Sequence, residues 1–117
     1  MNLALALPER TLPEGVSEEV FLLEVKAQLS KDFEWDESLV SQASVGVLQL
    51  LEDHIGWGME RDATPVFAAF YRLDLGEALV RQILHAYDRD EASKILAEKA
   101  LQRAALKVWT RWTFREM

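Results

Sequence analysis

A chain of 117 residues is long enough for one hydrophobic core and short for two. Half of its residues are hydrophobic, which separates it from disordered chains. It has no cysteine, which excludes disulfides, thiolate metal sites and cysteine nucleophiles and points to a reducing, cytoplasmic setting. The net charge of −7 gives the surface as a whole the wrong sign for a nucleic-acid backbone.

Residues 1–16 contain Pro8, Pro13 and Gly15 and lack a helical period. They are expected to form an extended arm lying on a domain made by residues 17–117. Only Leu3, Leu5 and Leu7 alternate in a strand-like way. No basic residue precedes this short apolar stretch, so a secretory signal is not expected. Charged residues interrupt every longer apolar run, so no membrane span and no membrane partner are expected either.

Ser17 followed by Glu18 and Glu19 has the form of an N-cap with carboxylates at the positive end of a helix dipole, and the spacing predicts a helix to about Lys31. Asp36 is a candidate cap for a second helix from Glu37 to about Ile55. Leu39, Val40, Ala43, Val47, Leu48, Leu51 and Ile55 would form its core stripe. Gly46 falls inside that stretch, where glycine costs about 1 kcal/mol relative to alanine, and a close helix approach would account for it. The Gly56–Gly58 segment, GWG, predicts the helix stop.

Thr64–Pro65 predicts a third helix, because proline at the first helical position loses no hydrogen bond. Asp74 and Glu77 have capping-box spacing, which places a break near Asp74 and a helix over about 75–86. Asp88 and Glu91 repeat the spacing, with Asp90 as a competing cap, so the last helix should run from about Asp90 to Arg115. Together these segments predict an all-α, single-domain antiparallel bundle of four to five helices with an extended N-terminal arm. No internal repeat is visible.

The stretch TPVFAAFYRLDLGEALVRQIL and the later KALQRAALKVWTRW resemble a group of small, functionally uncharacterised bacterial helical proteins. The likeness rests on Tyr71, Arg72, Leu73, Asp74 and Glu77 entering a helix, followed by a basic C-terminal helix. Gly76 stands where the group commonly has proline. The resemblance implies a helix break at Asp74 and carries no activity with it.

Candidate chemistry is sparse. The residues three positions before His54 and His85 are Leu51 and Gln82, so the Glu-x-x-His element of di-iron bundles is absent. Glu52, Asp53 and His54 are consecutive and point about 100° apart on a helix, which is unsuitable for one ion. His85 near a helix C-terminus is explained by the dipole. No serine sits in a nucleophile elbow, and no glycine loop precedes a helix in a phosphate-cradling arrangement. Catalytic, cofactor and metal residues are therefore not assigned. Tyr71 is expected to pack its ring with the hydroxyl wet, and Arg72 to pair with a nearby acid.

Charge is distributed unevenly. Residues 94–117 hold six cations and two acids, a net of +4, while residues 1–93 hold seven cations and eighteen acids, a net of −11. From Lys99 to Arg115 the cations recur every fourth residue and spiral through about 160°, which does not make one flat basic face. Ala97, Leu101, Ala104, Ala105, Val108 and Trp112 fall within about 120° and form a core face. Ile95, Leu96, Leu106 and Phe114 project elsewhere, and Trp109 lies at the margin.

Three readings of this helix follow. In the first it closes the core and its cations meet acidic helices of the same chain. In the second Lys107, Trp109, Arg111, Phe114 and Arg115 form a protein interface, with another subunit or in a homodimer. In the third the basic aromatic end binds nucleic acid or an anionic membrane, which the spiral and the acidic bulk oppose. The reading adopted from sequence is a non-catalytic structural or interaction protein. A nucleic-acid-binding or regulatory protein is the first alternative, and a small-molecule-binding protein or enzyme with an unrecognised site is the second.

Overall fold

The computed structural model describes residues 3–36 and 46–114. Among them are six helices and no strand: α1 (Leu3–Ala6), α2 (Glu18–Asp32), α3 (Val47–Arg61), α4 (Thr64–Arg72), α5 (Glu77–Ala86) and α6 (Arg89–Thr113). The all-α class is as expected; the arrangement of elements is not. The N-terminal residues are not a simple extended arm, because Leu3–Ala6 form a helical turn whose Ala6, with the following Leu7, is buried in the common core. A side-chain amide from α6 holds this turn down, with Gln102 Nε2 donating to the Leu5 carbonyl at 3.4 Å.

α2 starts where its cap predicts. Ser17 Oγ accepts the Val20 N–H at 3.2 Å, and Glu18 and Glu19 occupy the first turn. Its buried residues Phe21, Val25, Gln28, Leu29 and Asp32 recur at steps of three and four, so one face meets the core. The helix closes with a Schellman turn: the Trp35 N–H reaches the Ser30 carbonyl, the Glu34 N–H reaches that of Lys31, and Glu34 takes φ +57°.

The second helix differs most from its prediction. Its proposed start at Glu37 and the Leu39–Ala43 part of its stripe lie outside the described residues. Gly46 is not a mid-helix glycine: it occupies the N-cap of α3 in an extended conformation, with open space around the position of a Cβ. Nor does GWG stop the helix, which continues to Arg61. The reason is packing. A Cβ on Gly58 would lie 2.5 Å from Cγ2 of Val66, so α4 can approach only because Gly58 has no side chain. Gly56 faces Ser93 of α6 at 3.3 Å in the same sense.

α4 begins at Thr64 with Pro65 in its first turn, and Asp62 Oδ1 accepts the Thr64 N–H at 3.1 Å. It ends with a second Schellman turn, in which the Leu75 N–H reaches the Phe70 carbonyl and Asp74 takes φ +58°. Asp74 is therefore not the N-cap of the next helix. Gly76 holds that position without a side-chain hydrogen bond, and α5 starts at Glu77. Asp88, by contrast, is a true cap: its Oδ1 accepts the Glu91 N–H at 2.9 Å and starts α6 at Arg89.

α6 is the central element. It packs most extensively on α3 and α2, and then on α5 and α1. Its buried residues are mainly alanines, with Leu96, Leu101 and Val108, and they surround more than one side of the helix. Small side chains let several partners come close. Leu96, which projects off the face read from the sequence, is thus covered inside the chain and is 1% exposed. Each fully buried leucine, isoleucine or phenylalanine of this core, such as Leu101, Ile55 and Phe21, stabilises the fold by roughly 1.5–3 kcal/mol.

Candidate interaction groove between α2 and α6

α2 and α6 run in opposite directions, as the order of their contacts shows: Asp32 meets Lys107, Gln28 meets Arg111, and Glu24 meets Trp112. Steps of three and four along α6 bring Arg103, Leu106, Lys107, Thr110 and Arg111 onto the side facing α2, where Gln28 and Lys31 form the opposite wall. Between them lies an open groove of about 520 Å³. Four of its lining residues are cations and none is a carboxylate. The spiral inferred from sequence is present along α6 from Lys99 to Arg111. Its middle part, Arg103 to Arg111, turns through only about 80°, and all three of these cations reach one groove.

A polar network lies beneath the groove. Asp32 is almost completely buried; its Oδ2 accepts from Gln28 Nε2 at 2.9 Å and from Lys107 Nζ at 3.3 Å. Lys107 Nζ also donates to the Arg72 carbonyl, and Arg103 Nε donates to the Leu73 carbonyl at 3.0 Å. These carbonyls belong to the C-terminal end of α4, where helices leave acceptors unsatisfied and the dipole is negative. Arg72 closes the network by donating to the Asp32 carbonyl at 2.9 Å and to Glu34 at 3.5 Å. Lys107 therefore joins the two Schellman turns, Arg103 holds the second of them, and both also line the groove. Glu34 and Asp74, the acids with positive φ in the two Schellman turns, each carry an arginine partner, Arg72 and Arg103 respectively.

The five sequence candidates separate. Lys107 and Arg111 line the groove, and Arg111 donates to Gln28 Oε1 at 3.0 Å. Trp109 points to another side, where its indole N–H donates to the Thr11 carbonyl at 2.9 Å and the Arg10 guanidinium lies 5.2 Å over its ring. It fastens the N-terminal segment to α6. Phe114 is the C-cap of α6 and is 54% exposed. Arg115 lies outside the described residues. Trp112 is half-buried and donates to the Glu24 carboxylate.

Gln28 and Lys31 were missed because the polar edge of α2 carries no motif. An i, i+3 polar pair opposite a cationic stripe was the available signal, and it requires knowing which helices pair.

The remaining candidates lie elsewhere. His54 sits edge-on to Phe33 and Trp35, with ring centroids 5.5 and 5.7 Å away, and burial holds its imidazole below the ordinary histidine range. The buried Trp35 indole N–H has no hydrogen-bond partner among the described residues. His85 is exposed in the last turn of α5. Tyr71 does not pack its ring as expected: it is 86% exposed at the rim of a recess of about 370 Å³ between α4 and α5. Among the described residues no group of three or more histidine and carboxylate side chains converges to hold a metal ion. No helix there is long and apolar enough to cross a membrane.

The chain matches no protein-family model, no curated protein and no solved structure.

Proposed function

We propose that this chain is a non-catalytic protein-interaction module that receives an acidic surface of a partner protein in the groove between α2 and α6. The supporting observation is the contrast of sign: Lys31, Arg103, Lys107 and Arg111 line one groove of a chain whose net charge is −7. Such a patch steers and selects a partner of opposite charge. The open shape suits a segment of protein surface better than a small molecule, which binds where most of its area is enclosed. Leu106 adds apolar contact, and Phe114 stands about one turn beyond Thr110 with much of its ring exposed, as an aromatic anchor would.

The test is fluorescence anisotropy of an end-labelled, glutamate-rich peptide carrying one tryptophan. It should bind at low salt and weaken as salt rises, and Lys31→Glu with Arg111→Glu should weaken it by about tenfold or more. Failure of the peptide to saturate at low salt would remove the reading. A single-stranded oligonucleotide that binds more tightly, with the steeper salt dependence of phosphate contacts, would replace it with the nucleic-acid alternative.

A further inference from the structure

We infer that the partner of the α2–α6 groove is a second copy of this chain, which inserts the outer face of its α3 in a head-to-tail contact; this rests on the groove being a protein-docking site.

The occupant is identified by a stripe that the fold leaves outside. Gln49, Asp53, Trp57 and Glu60 are all exposed on α3 and recur at steps of four, four and three, so they fall within about 80° of one another. Trp57 is 59% exposed, an indole placed on the surface between two acids. Around it stand four acids, Glu52, Asp53, Glu60 and Asp90, and three cations, Arg61, Arg89 and Lys94. The stripe borders an open recess of about 510 Å³ against the start of α6, and its exposed indole, flanked by carboxylates, complements in chemistry a groove with cationic walls and Leu106 among its lining. Tryptophan and arginine are the residue types that most often dominate such contacts.

The stripe's present partners do not prevent the exchange. Arg61 lies 4.4 Å over the Trp57 ring, and Arg89 pairs with Glu60 at 3.2 Å with both side chains more than half exposed. Surface pairs of this kind contribute on the order of 0–1 kcal/mol.

The contact must be between chains. The α3 stripe adjoins the N-terminal end of α6 at Asp90 and Lys94, whereas the groove is centred near Lys107. Asp90 and Lys107 are separated along one continuous helix by about 25 Å at 1.5 Å per residue. Stripe and groove are different surfaces, so the association is heterologous and propagates as a ring or a filament unless it closes. Because each chain has a net charge of −7, long-range repulsion opposes association at very low salt, and the contact is best measured at about 0.15 M ionic strength.

The experiment is light scattering on a sizing column over a range of concentrations, using the full chain and two variants that keep Asp32 and both of its side-chain partners, Gln28 and Lys107. Trp57→Ala with Asp53→Lys removes the stripe, and Lys31→Glu with Arg111→Glu reverses the groove. Wild type should exceed the mass of one chain as concentration rises, and each variant alone should remain at one chain with its helicity retained. An equimolar mixture of the variants should recover association and stop at two chains, because one intact stripe meets one intact groove and both outer ends are dead.

Should either variant lose helicity, Trp57→Gln and Lys31→Gln replace them and should each weaken association by about tenfold. A wild type that stays single while the acidic peptide still binds its groove overturns self-docking and leaves the interaction reading standing. If the peptide also fails, both fall. Variants that still associate, or a mixture that does not, place the contact elsewhere and overturn the inference.

Discussion

Lys107 on α6 holds its ammonium 3.3 Å from Oδ2 of Asp32, a carboxylate 6% exposed in the last turn of α2 and seventy-five positions away in the chain. Gln28 and Lys107 are what this buried charge has for partners, and Lys107 at the same time satisfies a carbonyl at the end of α4. The pair ties the ends of α2 and α4 to the body of α6, and breaking it leaves an acid facing the core.

Removing the cation should therefore cost more than an exposed ion pair is worth. Lys107→Met is expected to lower the unfolding free energy by about 2–4 kcal/mol, towards the lower figure because a third of the lysine side chain still meets water. Adding Asp32→Leu to the same protein should recover most of that loss. Urea denaturation of the two variants and wild type measures both; a loss below about 0.5 kcal/mol for Lys107→Met would show that water replaces the lysine.

Gly58 and Gly56 should respond differently to the same substitution. Gly58→Ala places a methyl group 2.5 Å from Val66 and is expected to destabilise by about 1–3 kcal/mol through overpacking. Gly56→Ala meets only Ser93, its hydroxyl at 3.3 Å and its Cβ at 3.9 Å, and gains up to about 1 kcal/mol of helix propensity, so it should be neutral or mildly stabilising. Thermal unfolding separates the two. Val66→Ala should partly rescue Gly58→Ala and not Gly56→Ala.

The two Schellman turns place acids where glycine is usual. At Glu34, with φ +57°, a glycine variant should be more stable than an alanine variant by about 1 kcal/mol, since both lose the pair with Arg72 and only alanine keeps the strain of a Cβ in the left-handed region. The same ordering is expected at Asp74. Equal stabilities at both positions would mean that the turn relaxes out of positive φ.

His54 makes stability depend on pH in a definite direction. Burial lowers its folded pKa from the ordinary 6.5, so the unfolded chain binds the proton more readily. Its contribution is fully present above pH 6.5 and is lost as pH falls through that value towards the folded pKa. Urea midpoints measured at pH 7.5 and at successively lower pH should fall for wild type. The decline should be shallower for His54→Phe, whatever the offset between the two proteins. Parallel curves would remove His54 as the cause.

Much of this molecule was determined locally and is legible in the sequence for that reason. Ser17 and Asp88 fix helix starts because a cap bonds a backbone N–H three residues away. The all-α class follows from periods of three and four. Glycine and aspartate were misread where local and tertiary meanings compete. Gly58 in GWG reads as a stop until Val66 is seen against it, and Asp74 reads as the start of one helix while its backbone ends another.

The groove belongs wholly to the second category. Arg103, Lys107 and Arg111 are visible as a spiral of charge. Only the pairing of α2 with α6 supplies Lys31 and Gln28 as the other wall, turns Trp109 away to the Thr11 carbonyl, and buries the acid that Lys107 answers. A helix's own sequence sets which residues share a face. Which face meets another helix depends on the packing of side chains that are distant in the chain, and no local spacing encodes it.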